Sequence, residues 1–232
     1  MAVIELSRCE SLLGRDVMTR LEALKVVVFG VGGVGGWCAE ALIRSGVKKL
    51  TIVDDDIVAP SNINRQCAAL ASTMGEKKVE AMKARLKAIN PDAEIEALAV
   101  RYPDGFKHTL NDYDFIVDAI DSVDCKAELI LSATELGVSI VSSMGAARRL
   151  DPTQVEIKRF DKIEGDGLAR ALRQRFKKLE RFPKHKFYCA NSKETPLDSS
   201  GVTSLPSYMP VTSAFGMALA AKVISSVKEE IK

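Results

Sequence analysis

The chain has 232 residues, 47% hydrophobic and 28% charged, which is the composition of a globular domain large enough for one continuous core. A net charge of +2 gives no global field for nucleic acid or membrane, so any basic surface has to be local. The five cysteines (Cys9, Cys38, Cys67, Cys125 and Cys189) form no C-x-x-C pair, which argues against a disulfide framework and against a four-cysteine zinc site.

The opening residues, Met1–Gly14, are acidic and mixed, without the charged-then-apolar layout of a secretory leader. Lys25–Phe29 (KVVVF) is a short β-branched run that ends on glycines, the pattern of a buried parallel strand. Helical character follows over Trp37–Ser45 and stops at Gly46. Leu50–Val53 reads as a second strand closing on three aspartates, and Glu76–Ile89 as an amphipathic helix stopped by Asn90-Pro91. Further strands are expected at Glu94–Val100, Phe115–Val117 and Val138–Val141, with a helix at Cys125–Leu136. This alternation predicts right-handed βαβ units and an α/β, Rossmann-like, doubly wound sheet that is mainly parallel.

From Asp151 the texture changes. Gln154–Phe160 has strand alternation, Gly167–Leu179 reads as a basic helix, and Ser192–Pro210 is rich in Ser, Thr and Pro, as expected of a loop or lid. The longest apolar stretch, Val211–Val227, is broken by Gly216 and Lys222 and reads as a buried C-terminal helix, not a membrane span. The expectation is a single domain over 1–232, with 1–152 as nucleotide-binding core and 153–232 as a C-terminal extension of the same sheet. The cytoplasm is the natural compartment, with no membrane partner.

The sharpest signal is Gly30-Val31-Gly32-Gly33-Val34-Gly35-Gly36, between the first strand and the first helix. Glycines there let backbone approach a phosphate, and the helix start adds free N–H groups and positive dipole. Gly30, Gly32 and Gly35 also satisfy the dinucleotide fingerprint, and Asp54 after the second strand can accept ribose hydroxyls of NAD or ATP alike. A tight strand–helix turn without ligand is the bland alternative.

Arg65 and Lys78 tilt the balance. A triphosphate with a departing pyrophosphate needs cations around it, whereas a dinucleotide does not, and a planar guanidinium and a point charge suit that task. Lys77 reads as a solvated surface lysine. Asp121, in Val117-Asp118-Ala119-Ile120-Asp121-Ser122 at a strand's C-terminal end, is placed to hold Mg²⁺, while Asp118 reads as structural. There is no Ser–His–Asp pattern, and Cys189 reads as a small buried strand residue more than as a nucleophile. Arg170, Arg173, Arg175, Lys177, Lys178, Arg181, Lys184 and Lys186 crowd one segment with Phe176 and Phe182. Such a cluster suits RNA phosphates and unstacked bases, with a solvated basic helix as its rival.

The ordered motifs G-x-G-G-V-G, A-E-A-L-x-R-S-G (Ala39–Gly46), D-x-D (Asp54–Asp56), N-x-N-R-Q (Asn62–Gln66), K-V-E (Lys78–Glu80), I-N-P (Ile89–Pro91) and D-A-I-D-S (Asp118–Ser122) resemble the ubiquitin-activating-enzyme-like adenylyltransferase family over Ser7 to Pro152. The resemblance implies that ATP lies on Gly30, Gly32, Gly33 and Gly35, with Asp54, Asp56, Asn62, Asn64, Arg65, Gln66 and Lys78 around it and Mg²⁺ on Asp121. It also implies a homodimer in which Arg8 reaches the ATP of the partner subunit; an exposed N-terminal charge is the plain alternative for Arg8. Ser142–Ala147 and Asp151–Gln154 are most similar to the tRNA-modifying branch, which adenylates the threonyl carboxylate of threonylcarbamoyladenosine beside the anticodon and then cyclises it. That branch implies a tRNA anticodon loop as partner and leaves room for a sulfurtransferase or sulfur-acceptor protein. The chain departs from the branch in its compact stretch from Lys184 to Pro210. The alternatives are activation of a ubiquitin-like sulfur carrier, a nicotinamide-dependent oxidoreductase, and a regulatory ATP-binding module.

Overall fold

Two short helices, α1 (Ser7–Leu13) and α2 (Arg15–Ala23), lead into the first strand of the computed structural model, which describes residues 5–198 and 205–231. There follow β1 (Lys25–Phe29), α3 (Gly35–Arg44), β2 (Lys49–Val53), α4 (Lys78–Ile89), β3 (Glu94–Leu98), β4 (Phe115–Asp118), α5 (Val123–Leu136) and β5 (Ser139–Ser143). The last part is β6 (Val155–Arg159), α6 (Gly167–Leu179), β7 (Tyr188–Ser192) and α7 (Met209–Glu230).

The strands form one seven-stranded sheet in the order β3-β2-β1-β4-β5-β7-β6. All neighbours run parallel except β6 against β7. The fold is thus α/β, doubly wound and mainly parallel. The chain moves outward from β1 to β3, then returns to the other side of β1 with β4. That reversal opens a crevice beyond the C-terminal ends of β1 and β4, where open α/β sheets bind ligands.

Both faces of the sheet are covered, which is why β1 is apolar without alternation. Val26 and Val28 pack with α2, α3, α4 and α7, whereas Val27 and Phe29 pack with α5 and α6 on the opposite face. The long helix α7 is the C-terminal helix expected from Val211–Val227. Among the described residues it is the one helix long and apolar enough to cross a membrane. Here it lies along α3 with Val211, Phe215, Leu219 and Val223 fully buried. Gly216 makes the close approach possible, since a Cβ there would sit 2.5 Å from the Val34 carbonyl oxygen.

Several boundaries differ from the sequence expectation. Helix α3 begins two residues early, at Gly35, because the glycine pair itself forms its buried first turn. The helices α1 and α2 were not anticipated as elements, and of the strand β7 only Cys189 was read as a strand residue, without bounds. In the segment read as a loop or lid, Ser192 closes β7 and Met209 and Pro210 open α7, while residues 199–204 lie outside the described ones.

Glu40 on α3 is 5% exposed and joins two helices. It accepts hydrogen bonds from Arg44 Nε (2.8 Å) and from Arg85 Nε on α4 (2.6 Å). Burial alone would raise its pKa, but the two guanidinium contacts prevail and hold it below the ordinary 4.5. The stabilisation therefore belongs to the anion: it is present above that value and lost as pH falls through the lowered one. Glu40→Gln is expected to lower stability by about 1–2 kcal/mol at neutral pH, the lower range for charged hydrogen bonds with half-exposed partners. Thermal denaturation of both proteins from pH 7 to pH 3 should show this difference shrinking below about pH 4.5.

Candidate functional site

A cavity of about 670 Å³ opens at the switch point, lined by the segments that follow β1 to β5 and by α6, the stretch before α7, and α7 itself. Gly30 turns the chain out of β1 with φ +83°, and a Cβ there would meet the Ala119 carbonyl oxygen at 2.6 Å. A Cβ on Gly35 would lie 1.8 Å from the Gly30 carbonyl oxygen, so these two glycines are required by the loop's own packing. Gly32 is different. It lines the cavity, and the nearest atom to an added Cβ is Gln66 Nε2 at an ordinary 3.7 Å. Protein packing leaves Gly32 free to be alanine, so the empty space in front of it fits a group that approaches the backbone from the cavity.

Asp54 is half-buried at the end of β2. Its Oδ2 accepts the Val31 N–H (2.8 Å) and its Oδ1 the Asp56 N–H (2.9 Å), which ties the second strand to the glycine loop. Each oxygen keeps a lone pair for a further donor, such as a ribose hydroxyl. Burial raises its pKa, opposed chiefly by the nearby Lys78. Lys78 is itself 7% exposed and donates to Asp56 Oδ2 at 2.6 Å. Arg65 is held from several directions: its NH1 donates to Ser61 O and Asn64 Oδ1, both at 2.9 Å, and its carbonyl accepts the Trp37 indole N–H at 3.0 Å. Asp121 is exposed in the turn after β4 and lines the same cavity.

Of the residues singled out from sequence, Gly30, Gly32, Gly33, Asp54 and Asp56 line this cavity, as do Asn62, Arg65, Gln66, Lys78 and Asp121. Three do not. Gly35 is buried in the first turn of α3. Asn64 is outside the lining and donates to Ser207 O (2.7 Å), so it bears on the site by bracing Arg65. Arg8 is exposed on α1, outside the lining of this chain's own cavity.

Sequence reasoning left Asp118 as structural, and the structure supplies its partner, Lys126, which had not been singled out. Both are fully buried; Lys126 Nζ lies 2.7 Å from Asp118 Oδ2 and 3.2 Å from Ser142 Oγ, and Ser142 Oγ donates to Asp118 Oδ2 at 2.6 Å. Asp118 Oδ1 accepts the Ile120 N–H at 3.1 Å, fixing the turn that carries Asp121. No local pattern marks Lys126: it stands between Asp124 and Glu128 in the first half of α5, four residues after Ser122, like an ordinary helix lysine. Cys189 is fully buried in β7, and burial pushes its thiol well above the usual range, so it is the small strand residue expected and offers no thiolate.

A second group of residues was also missed: Arg101 after β3, and Arg148 and Arg149 after β5. Arg149 is 3% exposed and gives its guanidinium to Gly145 O (2.8 Å), to Glu194 O, and to Asp166 Oδ2 (3.0 Å). Asp166 caps α6 by accepting the Ala169 N–H at 2.9 Å, so the basic helix starts on the cavity wall. Along that helix Phe176 is buried, Arg173 donates to Phe160 O and Ile163 O, and Arg175 and Arg181 face Asp124, Glu128 and Glu135. Arg170, Lys177, Lys178, Lys184 and Lys186 remain exposed without a carboxylate partner among the described residues, and Phe182 is 58% exposed.

Fold and site define a doubly wound, nucleotide-binding α/β protein with a cation-lined cavity at its switch point. Residues 6–230 match the model of the ThiF family. The chain is 40% identical over 176 residues to the tRNA threonylcarbamoyladenosine dehydratase of Bacillus subtilis, covering 75% of this chain and 69% of that protein. It is 38% identical over 177 residues to the Haemophilus influenzae enzyme of the same name, covering 74% and 68%. The crystal structure of the Escherichia coli tRNA N6-threonylcarbamoyladenosine dehydratase in complex with ATP superposes with a TM-score of 0.90 at 30% identity, over 99% of this chain and 98% of that one. The chain belongs to the ThiF family.

The glycine geometry separates two kinds of defect. Gly32→Ala should leave the melting temperature within a degree or two of the parent and weaken ATP by about tenfold or more, the scale of one lost charge-assisted contact. Gly35→Ala should instead fail to fold, because its Cβ would overlap backbone. Calorimetric ATP titration and thermal denaturation of both variants check this.

Proposed function

We infer that the chain is an ATP-dependent tRNA threonylcarbamoyladenosine dehydratase. The threonyl carboxylate of the modified adenosine attacks the α-phosphorus of ATP, pyrophosphate leaves, and an acyl adenylate forms. The carbamoyl group of the same nucleoside then attacks the acyl carbon, AMP leaves with the carboxylate oxygen, and the ring closes. The attacking group is already tethered beside the activated carbonyl, so the second step needs no enzyme nucleophile. What supports this reading is that Asp54, Arg65, Lys78 and Asp121, distant in sequence, line one cavity beside the open face of Gly32, in a chain whose relatives carry this activity in their names.

In this reading Asp54 takes the ribose hydroxyls, Arg65 and Lys78 neutralise the charge that builds on the departing pyrophosphate, and the Gly32 N–H borders a phosphate. Asp121 would hold Mg²⁺, which supplies further charge neutralisation at the phosphates. Lys78 already carries an acidic partner, Asp56, so it arrives pre-positioned. We also propose that the enzyme is a cytoplasmic homodimer in which Arg8, outside its own cavity, reaches the partner's nucleotide. Residues 1–152 form the nucleotide-binding core, 153–232 face the substrate, and a sulfurtransferase or sulfur-acceptor protein is a further partner. The exposed cations Arg170, Lys177, Lys178, Lys184 and Lys186 contact the phosphates of the anticodon arm.

Mass spectrometry of tRNA nucleosides after incubation with protein, ATP and Mg²⁺ should show the threonylcarbamoyl nucleoside losing one water. ATP–pyrophosphate exchange should depend on tRNA that carries the modification; exchange driven instead by a carrier protein ending in Gly-Gly would overturn the assignment. Arg65→Ala is expected to slow exchange by about 10²-fold or more, the cost of a charge-stabilising contact, and Asp121→Ala to abolish it while the protein stays folded. Mixing Arg8→Ala with Asp121→Ala subunits should restore partial activity, and no restoration would exclude a shared site.

A further inference from the structure

Among the described residues only Arg148 and Glu180 have positive φ without being glycine. Glu180 ends α6, where a left-handed residue is the ordinary helix stop. Arg148, at φ +61°, ends nothing; it lies in the segment between β5 and β6. A side chain in this conformation is unfavourable, and glycine would adopt it freely. The surrounding backbone holds it there: Arg148 N–H donates to Pro206 O and Leu197 N–H donates to Arg148 O, both at 2.8 Å. Two and three residues on, the Glu194 carboxylate accepts the N–H groups of Leu150 and Asp151, and the Tyr208 hydroxyl donates to Leu150 O.

The two adjacent arginines divide their work. The Arg149 guanidinium is buried and spent on three protein acceptors. The Arg148 side chain is partly exposed, lines the cavity, and has no hydrogen-bond or ion-pair partner among the described residues. Asp166, a carboxylate that lines the same cavity, is already taken by Gly145 N–H, Ala169 N–H and Arg149. Arg148 also comes from a different part of the chain than Arg65, which lies between β2 and α4, and Lys78, which opens α4. The wall it shares contains the start of α6, whose next turn carries the exposed Arg170.

We propose that Arg148 receives an anionic oxygen of the RNA substrate, either a phosphodiester flanking the reacting nucleoside or its threonyl carboxylate, and so determines how that nucleoside sits against ATP. The inference rests on the tRNA reading given above. The strained backbone then has a reason: it presents a guanidinium to the cavity from a position that a relaxed residue would direct elsewhere.

Arg148→Gly tests this, because glycine keeps the backbone and removes only the side chain. Binding of an anticodon stem-loop, with and without the threonylcarbamoyl group, is measured across a salt series, alongside ATP affinity and melting temperature. Arg148→Gly should bind the modified RNA about tenfold more weakly or worse, as expected for one lost charged hydrogen bond. ATP affinity should be unchanged and the melting temperature unchanged or higher. If the anion is a phosphodiester, both RNAs weaken alike and the slope of log K against log salt falls by about one. If it is the carboxylate, only the modified RNA weakens. Arg148→Lys should retain part of the affinity and lose the planar fork. Wild-type affinity of Arg148→Gly for both RNAs, or an equal loss of ATP binding, overturns the proposal while leaving the tRNA reading intact. Failure of the parent protein to bind or convert modified RNA removes both.

Discussion

The cavity hangs from one buried interaction, the ion pair of Asp118 and Lys126. Asp118 stands at the end of β4, Lys126 in the second turn of α5 and Ser142 in β5, and neither charge of the pair reaches solvent. An apolar pair of the same volume is often equally stable, but it could not accept the Ile120 N–H. Through that bond the turn 119–122 is fixed. The Ala119 carbonyl then sets where Gly30 can pass, and Gly30 in turn sets where α3 can begin. Removing one partner would strand a bare charge at a cost of about 3–5 kcal/mol. The glycine loop and Asp121, which both line the cavity, therefore share a single anchor.

Around that anchor the cavity is electrically divided. Its nucleotide half mixes Asp54, Asp56 and Asp121 with Arg65 and Lys78, a set that can meet both ribose hydroxyls and phosphates. The other half, after β5, is cationic, with its one carboxylate, Asp166, fully engaged. Two substrates that are both anionic need such a division, since a uniformly basic cavity would not orient one against the other. The basic helix α6 continues the cationic half outward, beginning where Arg149 and Asp166 close the wall.

Much of this architecture is legible in the sequence because β1, β2, β4 and β5 are short apolar runs buried on both faces, and each is punctuated by glycine, aspartate or proline. The bounds of β1 and α6 follow directly from KVVVF and from a basic amphipathic period. Of the strand β7 only Cys189 was legible, for the opposite reason: Tyr-Cys-Ala-Asn-Ser carries only a short apolar core, and its place between β5 and β6 is a long-range choice that no local period encodes. Residues that contact a ligand were easier to find than residues that hold those contacts. Arg65 and Asp121 announce themselves by charge within the ordered motifs N-x-N-R-Q and D-A-I-D-S. Lys126 looks like an ordinary helix lysine until the fold buries it, and Arg148 becomes notable only when its backbone angle is known. Asn64 sits inside a motif yet supports Arg65 instead of lining the cavity.

The position of α7 also has a consequence in time. It is the last described element to be synthesised, yet Gly216 lies under the Val34 carbonyl of the glycine loop and Thr212 borders the cavity. On a ribosome, the strands and helices that carry Asp54, Arg65, Lys78 and Asp121 emerge long before the helix that completes the layer beneath the loop. Until α7 is released, the apolar face of α3 has no cover and the loop no floor. The packing beneath the glycine loop is therefore complete only once α7 is in place.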